Sequence, residues 1–170
     1  MKRIGLISDT HSWLDPRVRV HFESCDEIWH AGDIGNLDVL NELAAMKPLR
    51  AVWGNIDGTN IRQRTEEFLW FDCEGMQVLI THIAGRPKHW SKPVLPWLTR
   101  KPDLLVCGHS HICALMRSEK EPLIYANPGA AGRHGFHPVR TIMRLELDYG
   151  KITSGEVIEL GPRSERTQLG

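Results

Sequence analysis

Side chains of the kinds that bind metal ions follow a series of short apolar segments in this chain of 170 residues. The polar segments are Ser8-Asp9-Thr10-His11, Gly32-Asp33, Gly54-Asn55, Thr81-His82 and Gly108-His109-Ser110-His111. Because ligands of open α/β sheets gather at the carboxyl ends of the strands, these five segments are expected to converge on one site. A glycine before the polar residue lets the chain turn sharply and approach closely.

Together the five segments supply two carboxylates, one amide oxygen and four imidazoles, and no thiolate. The seven donors are Asp9, His11, Asp33, Asn55, His82, His109 and His111. Oxygen and nitrogen donors suit manganese, iron, zinc, nickel or cobalt better than copper(I) or an iron–sulfur cluster. Because seven side chains exceed the needs of one ordinary metal ion, the set predicts two divalent ions that share a bridging carboxylate.

The charge of such a site indicates what it would bind. Two divalent cations bring four positive charges, Asp9 and Asp33 return two negative charges, and a bridging hydroxide returns a third. The remaining charge of about one positive unit matches a singly charged phosphodiester or the charge that develops in phosphoryl transfer. Two metal ions ~3.5–4 Å apart would hold both the attacking and the leaving oxygen, which predicts hydrolysis of a small phosphoester.

Six motifs occur in a fixed order along the chain: Asp9-x-His11, Gly32-Asp33, Gly54-Asn55-x-Asp57, Thr81-His82, Gly108-His109-Ser110-His111 and Asn127-Pro128-Gly129. This series resembles the calcineurin-like metallophosphoesterases, and among them the small phosphodiesterases of the YfcE and Vps29-like branch. The resemblance extends to about residue 160. It implies a metal-dependent hydrolase, most similar to a phosphodiesterase, that acts through a metal-bridging hydroxide.

The resemblance also implies roles for single residues. One ion would be held by Asp9, His11, Asp33 and His111, and a second by Asp33, Asn55, His82 and His109, with Asp33 as the bridge. Manganese is the first expectation for both ions, with iron, nickel, zinc or cobalt as alternatives. Asp33, Asn55 and Asp57 would also belong to the catalytic residues, and Asp57 would orient a metal-bound group or a histidine ring. The loop at Asn127-Pro128-Gly129 would lie beside the site.

Two departures from the family pattern concern proton donation. Ile56 stands where large family members carry a histidine, and Ile83-Ala84 follow His82 where many relatives carry a second histidine. The loss of both imidazoles predicts that aryl phosphates are cleaved far more easily than alkyl phosphates. As a hypothesis, the segment 132–137 supplies the missing groups, with His134 or His137 as the catalytic acid and Arg133 as a phosphate ligand.

The elements that must position these residues read as strands alternating with helices, followed mostly by strands. Apolar runs and alternation predict strands at 4–7, 27–31, 51–53, 67–72, 76–81, 104–107, 112–117, 123–126, 141–147 and 152–160. Helices are predicted at 15–22, 36–46 and 94–99, with Asp15 and Asn36 as N-caps of the first two. We expect one domain over residues 1–170, with a frayed tail at 161–170. The fold class is α/β, and the resemblance implies a four-layer αββα sandwich of two mixed sheets between helices.

Composition narrows the class of protein further. With 41% hydrophobic and 25% charged residues the chain is typical of globular proteins, and it contains no apolar run long enough to cross a membrane. The apolar run after Met1-Lys2-Arg3 is too short for a signal peptide. The four cysteines form no Cys-x-x-Cys pair, which disfavours a zinc ribbon or a thioredoxin-like site. We therefore expect a cytoplasmic protein with reduced cysteines.

Other interpretations remain open at this point. Any single aspartate or histidine is by default a surface or capping residue, and His30 is expected to be a packed structural histidine. A Vps29-like scaffold that binds partner proteins is one alternative function, and a metal-dependent nuclease is another. Equal numbers of basic and acidic residues, 21 of each, disfavour a long basic groove for nucleic acid. The physiological substrate, the metal and the oligomeric state, for which a dimer is one option, stay undetermined.

Overall fold

The computed structural model describes residues 1–164, which form twelve strands and four α-helices. The strands are β1 (Lys2–Ile7), β2 (Glu27–His30), β3 (Leu49–Ala51), β4 (Phe68–Cys73), β5 (Met76–Thr81), β6 (Gly85–Arg86), β7 (His89–Trp90), β8 (Leu104–Val106), β9 (Ala114–Arg117), β10 (Ile124–Asn127), β11 (Val139–Asp148) and β12 (Lys151–Pro162). The helices are α1 (Arg17–His21), α2 (Leu37–Met46), α3 (Thr59–Arg62) and α4 (Leu95–Leu98), and a 3-10 turn at Lys92–Val94 leads into α4.

Ten of the strands form two five-stranded mixed sheets. The first sheet has the order β12-β11-β1-β2-β3, in which β1, β2 and β3 are parallel. The second has the order β4-β5-β8-β10-β9, in which β5, β8 and β10 are parallel. The small hairpin β6–β7 stands apart from both sheets. Parallel strands in each sheet therefore end at a common edge, which is where the predicted donors begin.

Apolar side chains bury both faces of each sheet. Leu6 and Trp29 of the first sheet share a fully buried cluster with Val78 and Val106 of the second. On the outer face of the first sheet, Ile7 packs with residues of α1, α2 and α3. On the outer face of the second sheet, the 3-10 turn and α4 pack with β5, β8 and Trp90 of β7. The predicted four-layer αββα sandwich is confirmed, with an outer layer of only short elements on the second sheet.

Local sequence explains the helix that flanks the site. The side chain of Asn36 accepts a hydrogen bond from the amide of Val39 at 3.1 Å, as an N-cap residue does. Val39, Leu40 and Leu43 then recur at helical spacing and are all buried. The predicted helix at 36–46 is thus confirmed, with Asn36 as its cap.

Two sequence predictions need correction at the element level. Helix α1 is shorter than predicted and has Pro16 as its N-cap, because the Asp15 carboxylate is paired with the guanidinium groups of Arg17 and Arg140 at 2.6 and 2.5 Å. Residues 161–162, predicted as part of a frayed tail, belong to β12, since Val139 pairs with Pro162 across the β11–β12 ladder. Residues 163–164 follow β12, and the backbone amide of Arg163 donates to the carbonyl oxygen of Pro138 at 3.0 Å. The last six residues of that predicted tail, 165–170, lie outside the described residues.

Helix α3 and the hairpin β6–β7 were not predicted. Helix α3 has four residues, of which only Ile61 is buried, and strands β6 and β7 have two residues each. Elements this short leave no periodic apolar pattern in the sequence. Within residues 1–164 no helix combines the length and apolar character needed to cross a membrane.

Candidate metal centre

The donor residues lie in sharp turns directly after parallel strands of both sheets. Five of them adopt the left-handed backbone conformation, with φ of 54° for Asp9, 46° for His11, 55° for Asp33, 67° for His109 and 60° for His111. Aspartate and histidine tolerate this region better than most residues. Strained backbone of this kind concentrates at functional sites, where surrounding structure holds it in place.

Close approach of two of these turns depends on glycine. A Cβ atom at Gly54 would lie 2.1 Å from Oδ1 of Asp33, and one at Gly108 would lie 2.0 Å from Oγ of Ser8. Any larger residue at these positions would push the turns apart. The glycines that precede Asn55 and His109 in the sequence are therefore required by the distances between neighbouring turns.

The first cluster of donors consists of Asp9, His11 and His111, whose ligand atoms all lie within 4.8 Å of one another. Nε2 of His111 is 3.1 Å from Oδ1 of Asp9. Nε2 of His11 is 4.0 Å from the same oxygen and 3.5 Å from Oδ2 of Asp33. These donors surround a volume that one cation would fill.

The second cluster consists of Asp33, His82 and His109, again with ligand atoms within 4.8 Å of one another. Nε2 of His82 is 3.2 Å from Oδ1 of Asp33. Oδ1 of Asn55 lies 3.1 Å from both Nε2 of His82 and Nδ1 of His109. Asp33 faces both clusters, with Oδ2 toward His11 and Oδ1 toward His82. All seven donors named from the sequence are thus brought together.

Buried polar atoms within these clusters fit metal ions. Nε2 of His11 is buried without a hydrogen-bond partner among the described residues. Nδ1 of His82 lies 2.7 Å from the carbonyl oxygen of Ala31 and must donate to it, which leaves Nε2 of the neutral ring as an acceptor facing the oxygens of Asp33 and Asn55. Acceptors that face one another at this distance favour a positive charge between them, which either a proton or a divalent cation can supply, and both clusters fit a divalent cation.

Burial and neighbouring charges shift the pKa of three donors, toward the metal-binding form for His11 and Asp33 and away from it for His82. Burial lowers the pKa of His11 below its ordinary value, although the carboxylates of Asp33 and Asp9 act against this. Burial opposes ionisation of Asp33, but His82, the backbone amide of Ile56 and His11 together outweigh it and lower the pKa of this carboxyl group. For His82 itself burial acts against charge, yet the Asp33 carboxylate raises the pKa. A neutral imidazole and an ionised carboxylate are the forms that bind metal.

His137 fixes the orientation and the tautomer of His111. Nε2 of His137 lies 2.9 Å from the carbonyl oxygen of Gly132 and therefore donates to it. Nδ1 of the neutral His137 ring is then the acceptor for Nδ1–H of His111, at 3.1 Å. Nε2 of His111 is left with its lone pair toward Asp9. Because both ring nitrogens of His137 are engaged and the residue is 5% exposed, it is unsuited to the acid role proposed from the sequence.

Asp57 braces the backbone of two donor turns. Its carboxylate accepts hydrogen bonds from the amides of Ile34, Gly35 and Gly54, at 3.1, 2.8 and 2.8 Å. These amides adjoin Asp33 in one turn and Asn55 in the other. The described hydrogen bonds of the Asp57 side chain thus run to backbone amides, and its catalytic role of orienting a metal-bound group or a ring stays a prediction.

His30 is fully buried below the centre, as expected for a structural histidine. Its Nδ1 accepts from the amide of Gly32 at 3.1 Å, so Nε2 donates to the hydroxyl of Thr10 at 3.0 Å. That hydroxyl donates to the carbonyl oxygen of Ile34 at 2.9 Å. Burial lowers the pKa of His30 to about 4, so the ring stays neutral and holds the Asp9 and Asp33 turns together.

The loop after Asn127 lies at the mouth of the site. Asn127 donates to the carbonyl oxygen of Gly108 at 3.0 Å and so holds the turn that carries His109. His134 is exposed, with its ring centre 5.8 Å from that of His11. The guanidinium of Arg133 lies 3.6 Å from the ring centre of Trp13. His134 thus remains close enough to the centre to act on a bound substrate.

Sequence reasoning missed the groups that hydrogen-bond to the donor side chains and hold them in place. Ser8 donates to Oδ2 of Asp9 at 2.6 Å, and the backbone amide of His109 donates to the same oxygen at 3.1 Å. A serine at a strand end is too common to be singled out, and a backbone amide 100 residues away in sequence leaves no pattern at all.

An open cleft of about 710 Å³ leads to the centre. His11, Asp33, Asn55, His109 and His111 line one side of it. The remaining lining residues are Ile56, Ser110, Ile112, Cys113, Gly135, Phe136, His137, Pro138, Val139 and Thr141.

Comparison with known proteins agrees with this geometry. The sequence profile of the calcineurin-like phosphoesterase superfamily domain matches residues 1–150. A probable metallophosphoesterase of Methanothermobacter thermautotrophicus is 31% identical over 164 residues, which cover 93% of this chain and 92% of that protein. The chain belongs to the calcineurin-like phosphoesterase superfamily.

Solved structures share the fold. An archaeal phosphodiesterase superposes with a TM-score of 0.73 and 21% identity over 93% of this chain and 99% of its own. Zinc-bound wild-type Vps29 of Entamoeba histolytica superposes with a TM-score of 0.69 and 17% identity over 94% of this chain and 98% of its own. The two-sheet architecture is therefore common to proteins described as a phosphodiesterase and to Vps29.

Proposed function

We propose that this chain is a metal-dependent phosphodiesterase that acts on small phosphodiesters. The observation that carries the proposal is the convergence of seven donors from both sheets on two clusters that share Asp33. Asp9, His11, Asp33 and His111 would hold one divalent ion, and Asp33, Asn55, His82 and His109 would hold the other. Such a pair of ions supplies Lewis acidity and makes water a nucleophile near neutral pH.

The protein's own residues would position the reaction. Asp33 sets the distance between the two clusters, and Asp57 holds the Asp33 and Asn55 turns in register. His134 lies at the mouth of the site, where it would give a proton to the departing oxygen. Since His134 is exposed and has no rigid partner in the described hydrogen bonds, we expect it to be a weaker acid catalyst than a buried, fixed histidine.

Charge favours diesters over monoesters. No lysine or arginine is among the residues that line the cleft, so no cationic side chain there would add to the charge of the two metal ions, which favours a singly charged diester over a doubly charged monoester. The same fact disfavours the nuclease alternative, because nucleic-acid grooves carry phosphate-binding cations. A gel assay with single-stranded and duplex DNA should therefore show no cleavage.

The main experiment measures hydrolysis of bis(4-nitrophenyl) phosphate and 4-nitrophenyl phosphate by protein loaded in turn with Mn²⁺, Fe²⁺, Ni²⁺, Zn²⁺ and Co²⁺. We expect the diester to be the better substrate, with Mn²⁺ among the activating ions. Asp33→Asn should reduce the rate by a factor of about 100 or more, because it removes the shared charge of both clusters. Asp38→Asn, at an exposed position of α2, is the matched control and should leave the rate unchanged.

Two results would contradict the proposal. Activity that survives Asp33→Asn would remove the shared carboxylate from the mechanism. Tight metal binding without turnover of any phosphoester would instead favour the alternative of a Vps29-like scaffold. The presence of all seven donors argues against a scaffold protein that no longer binds metal ions.

A further inference from the structure

The cleft beside the metal centre has an apolar wall. Ile56, Ile112 and Phe136 line the same cleft as His11 and Asp33. Their side chains are strongly exposed, Ile56 to 46%, Ile112 to 68% and Phe136 completely. Single apolar residues scattered on a surface need no explanation, but three that line one cleft form a patch of the kind that marks a ligand site.

These three residues come from separate parts of the chain, and each is held close to the centre. The backbone amide of Ile56 donates to Oδ1 of Asp33 at 3.1 Å. Ile112 follows the donor His111 directly. Phe136 directly precedes His137, which is hydrogen-bonded to His111 at 3.1 Å. The wall is therefore positioned by the same turns and hydrogen bonds that position the donors.

The rest of the cleft offers little to a highly charged ligand. Among its fifteen lining residues Asp33 is the only acidic one, and none is lysine or arginine. A ligand that fits must combine one negative charge, for the donor side, with an uncharged apolar group, for the wall. Dianionic esters lack this combination.

We propose that Ile56, Ile112 and Phe136 form a subsite for an apolar, aromatic ester group of a singly charged phosphodiester. The inference rests on the proposed function in that it places the phosphoryl group at the donors. Burial of the exposed side chains against such a group removes apolar surface from water, and Phe136 offers a ring face for stacking. The substrate class is thus a diester that carries at least one aryl or similarly flat apolar group.

The test uses two singly charged phosphinate anions that have no ester bond to hydrolyse. Diphenylphosphinate carries the apolar groups, whereas dimethylphosphinate presents the same charged centre without them. Isothermal titration calorimetry with the Mn²⁺-loaded protein measures both affinities. We expect diphenylphosphinate to bind about tenfold more tightly, and Phe136→Ser or Ile112→Ser to abolish most of that difference without weakening dimethylphosphinate.

Tyr149→Ser is the control, since Tyr149 is 91% exposed in the turn between β11 and β12, outside the cleft lining. It should leave both affinities unchanged. Equal affinity of the wild-type protein for the two anions, or a preference that survives both serine variants, would overturn the subsite.

Hydrolysis of bis(4-nitrophenyl) phosphate, measured separately, distinguishes failure of the subsite from failure of the proposed function. Metal-dependent hydrolysis with no preference between the phosphinates leaves the phosphodiesterase standing without this subsite. A clear preference without any hydrolysis leaves an apolar anion-binding cleft and removes the enzyme.

Discussion

The imidazole of His137 shows how one residue can decide the chemistry of another. Because the carbonyl oxygen of Gly132 can only accept, the hydrogen bonds from His111 through His137 run in one direction and leave Nε2 of His111 free. Hydrogen-bond partners of this kind orient metal-bound histidines and affect metal affinity.

We predict that His137→Leu weakens metal binding at the cluster of Asp9, His11 and His111 by a factor of about 10, because His111 loses its acceptor. His137→Asn should retain most of the affinity, since its Oδ1 replaces Nδ1 as acceptor. Titration with Co²⁺, followed by calorimetry and by its visible absorption, measures both. Equal affinity of the leucine variant and the wild-type protein would contradict this role of His137.

A second prediction concerns the proton donor. His134→Ala should lower kcat for a diester with an alkyl leaving group by a factor of about 100, and for a 4-nitrophenyl leaving group by less than a factor of about 3, since a good leaving group needs no proton. The pH–rate profile of the slower reaction should lose its basic limb. His89→Ala, at an exposed position of β7, is the control. An equal loss with both leaving groups would exclude acid catalysis by His134.

At the residue scale the metal-binding donors were predictable from the sequence. The residues that hold these donors in position by hydrogen bonds were not. The seven donors were found because each follows a small residue or a strand end and has a side chain suited to metals. Asp57 was recognised by its motif, but its contacts with three backbone amides depend on how two separate turns meet in space. His137 occurred in a segment singled out for proton transfer, and only its packing distinguishes positioning from donation.

Among the elements, α1 and the β11–β12 ladder are joined by a shared apolar cluster and, at the start of α1, by one buried ion pair. Arg140 is 1% exposed and contacts the Asp15 carboxylate at 2.5 Å, and it also donates to the carbonyl oxygen of Pro162. Burial alone would raise the pKa of Asp15, but hydrogen bonds from Arg17 and Arg140 hold it well below its usual range.

Asp15→Asn should therefore lower the free energy of unfolding by about 3 kcal/mol at pH 7, because a buried guanidinium loses its charged partner. A carboxyl group whose pKa is depressed in the folded state stabilises the protein above its unfolded pKa of ~3.9. That contribution is lost as the pH falls through the lower, folded value. The difference between variant and wild type should shrink below about pH 4, as urea unfolding at a series of pH values would measure.

Asp26→Asn is a matched control, because this exposed carboxylate accepts from the backbone amide of Arg3 at the surface. It should change the stability by less than about 1 kcal/mol. A difference between Asp15→Asn and wild type that stays constant down to acid pH would show that lost packing, and not the ion pair, is responsible.

Helices and strands are predictable where burial imposes a periodic pattern of apolar residues on the sequence. They are not predictable where burial imposes no such pattern. The strand at β1 and the helix at α2 were predictable because both present apolar residues to a core, whereas α3 and β6–β7 are too short to do so. The end of β12 is not predictable from the sequence, because Gly161 and Pro162 are residue types that usually interrupt strands and only their pairing with β11 shows that they extend β12.

At the scale of the whole molecule, folding brings together groups at the candidate metal centre whose contacts with one another are unfavourable. Facing acceptors and five left-handed residues persist only because the two sheets hold them in position. We predict that a divalent ion at a concentration 100-fold above its dissociation constant stabilises the protein by about 2.7 kcal/mol per site, which corresponds to a rise in Tm of about 5–10 °C.

Calorimetric scans with and without Mn²⁺ measure this effect, and a chelator should reverse it. Asp33→Asn should abolish most of the rise. A Tm that does not depend on metal in the wild-type protein would mean that the clusters do not bind ions in the folded state.

The origin of the donors in both sheets has a consequence for how the protein is made. Asp9 and its partner His111 are separated by 102 residues, so the ribosome completes the first half of the centre well before the second exists. At synthesis rates of ~5–20 residues per second, that interval lasts on the order of 5 to 20 s. During it the nascent chain presents an incomplete set of donors, first carboxylates with the imidazole of His11 and later those of His82 and His109. Capture of the ions is thus a late event in biogenesis, after the second sheet has been made.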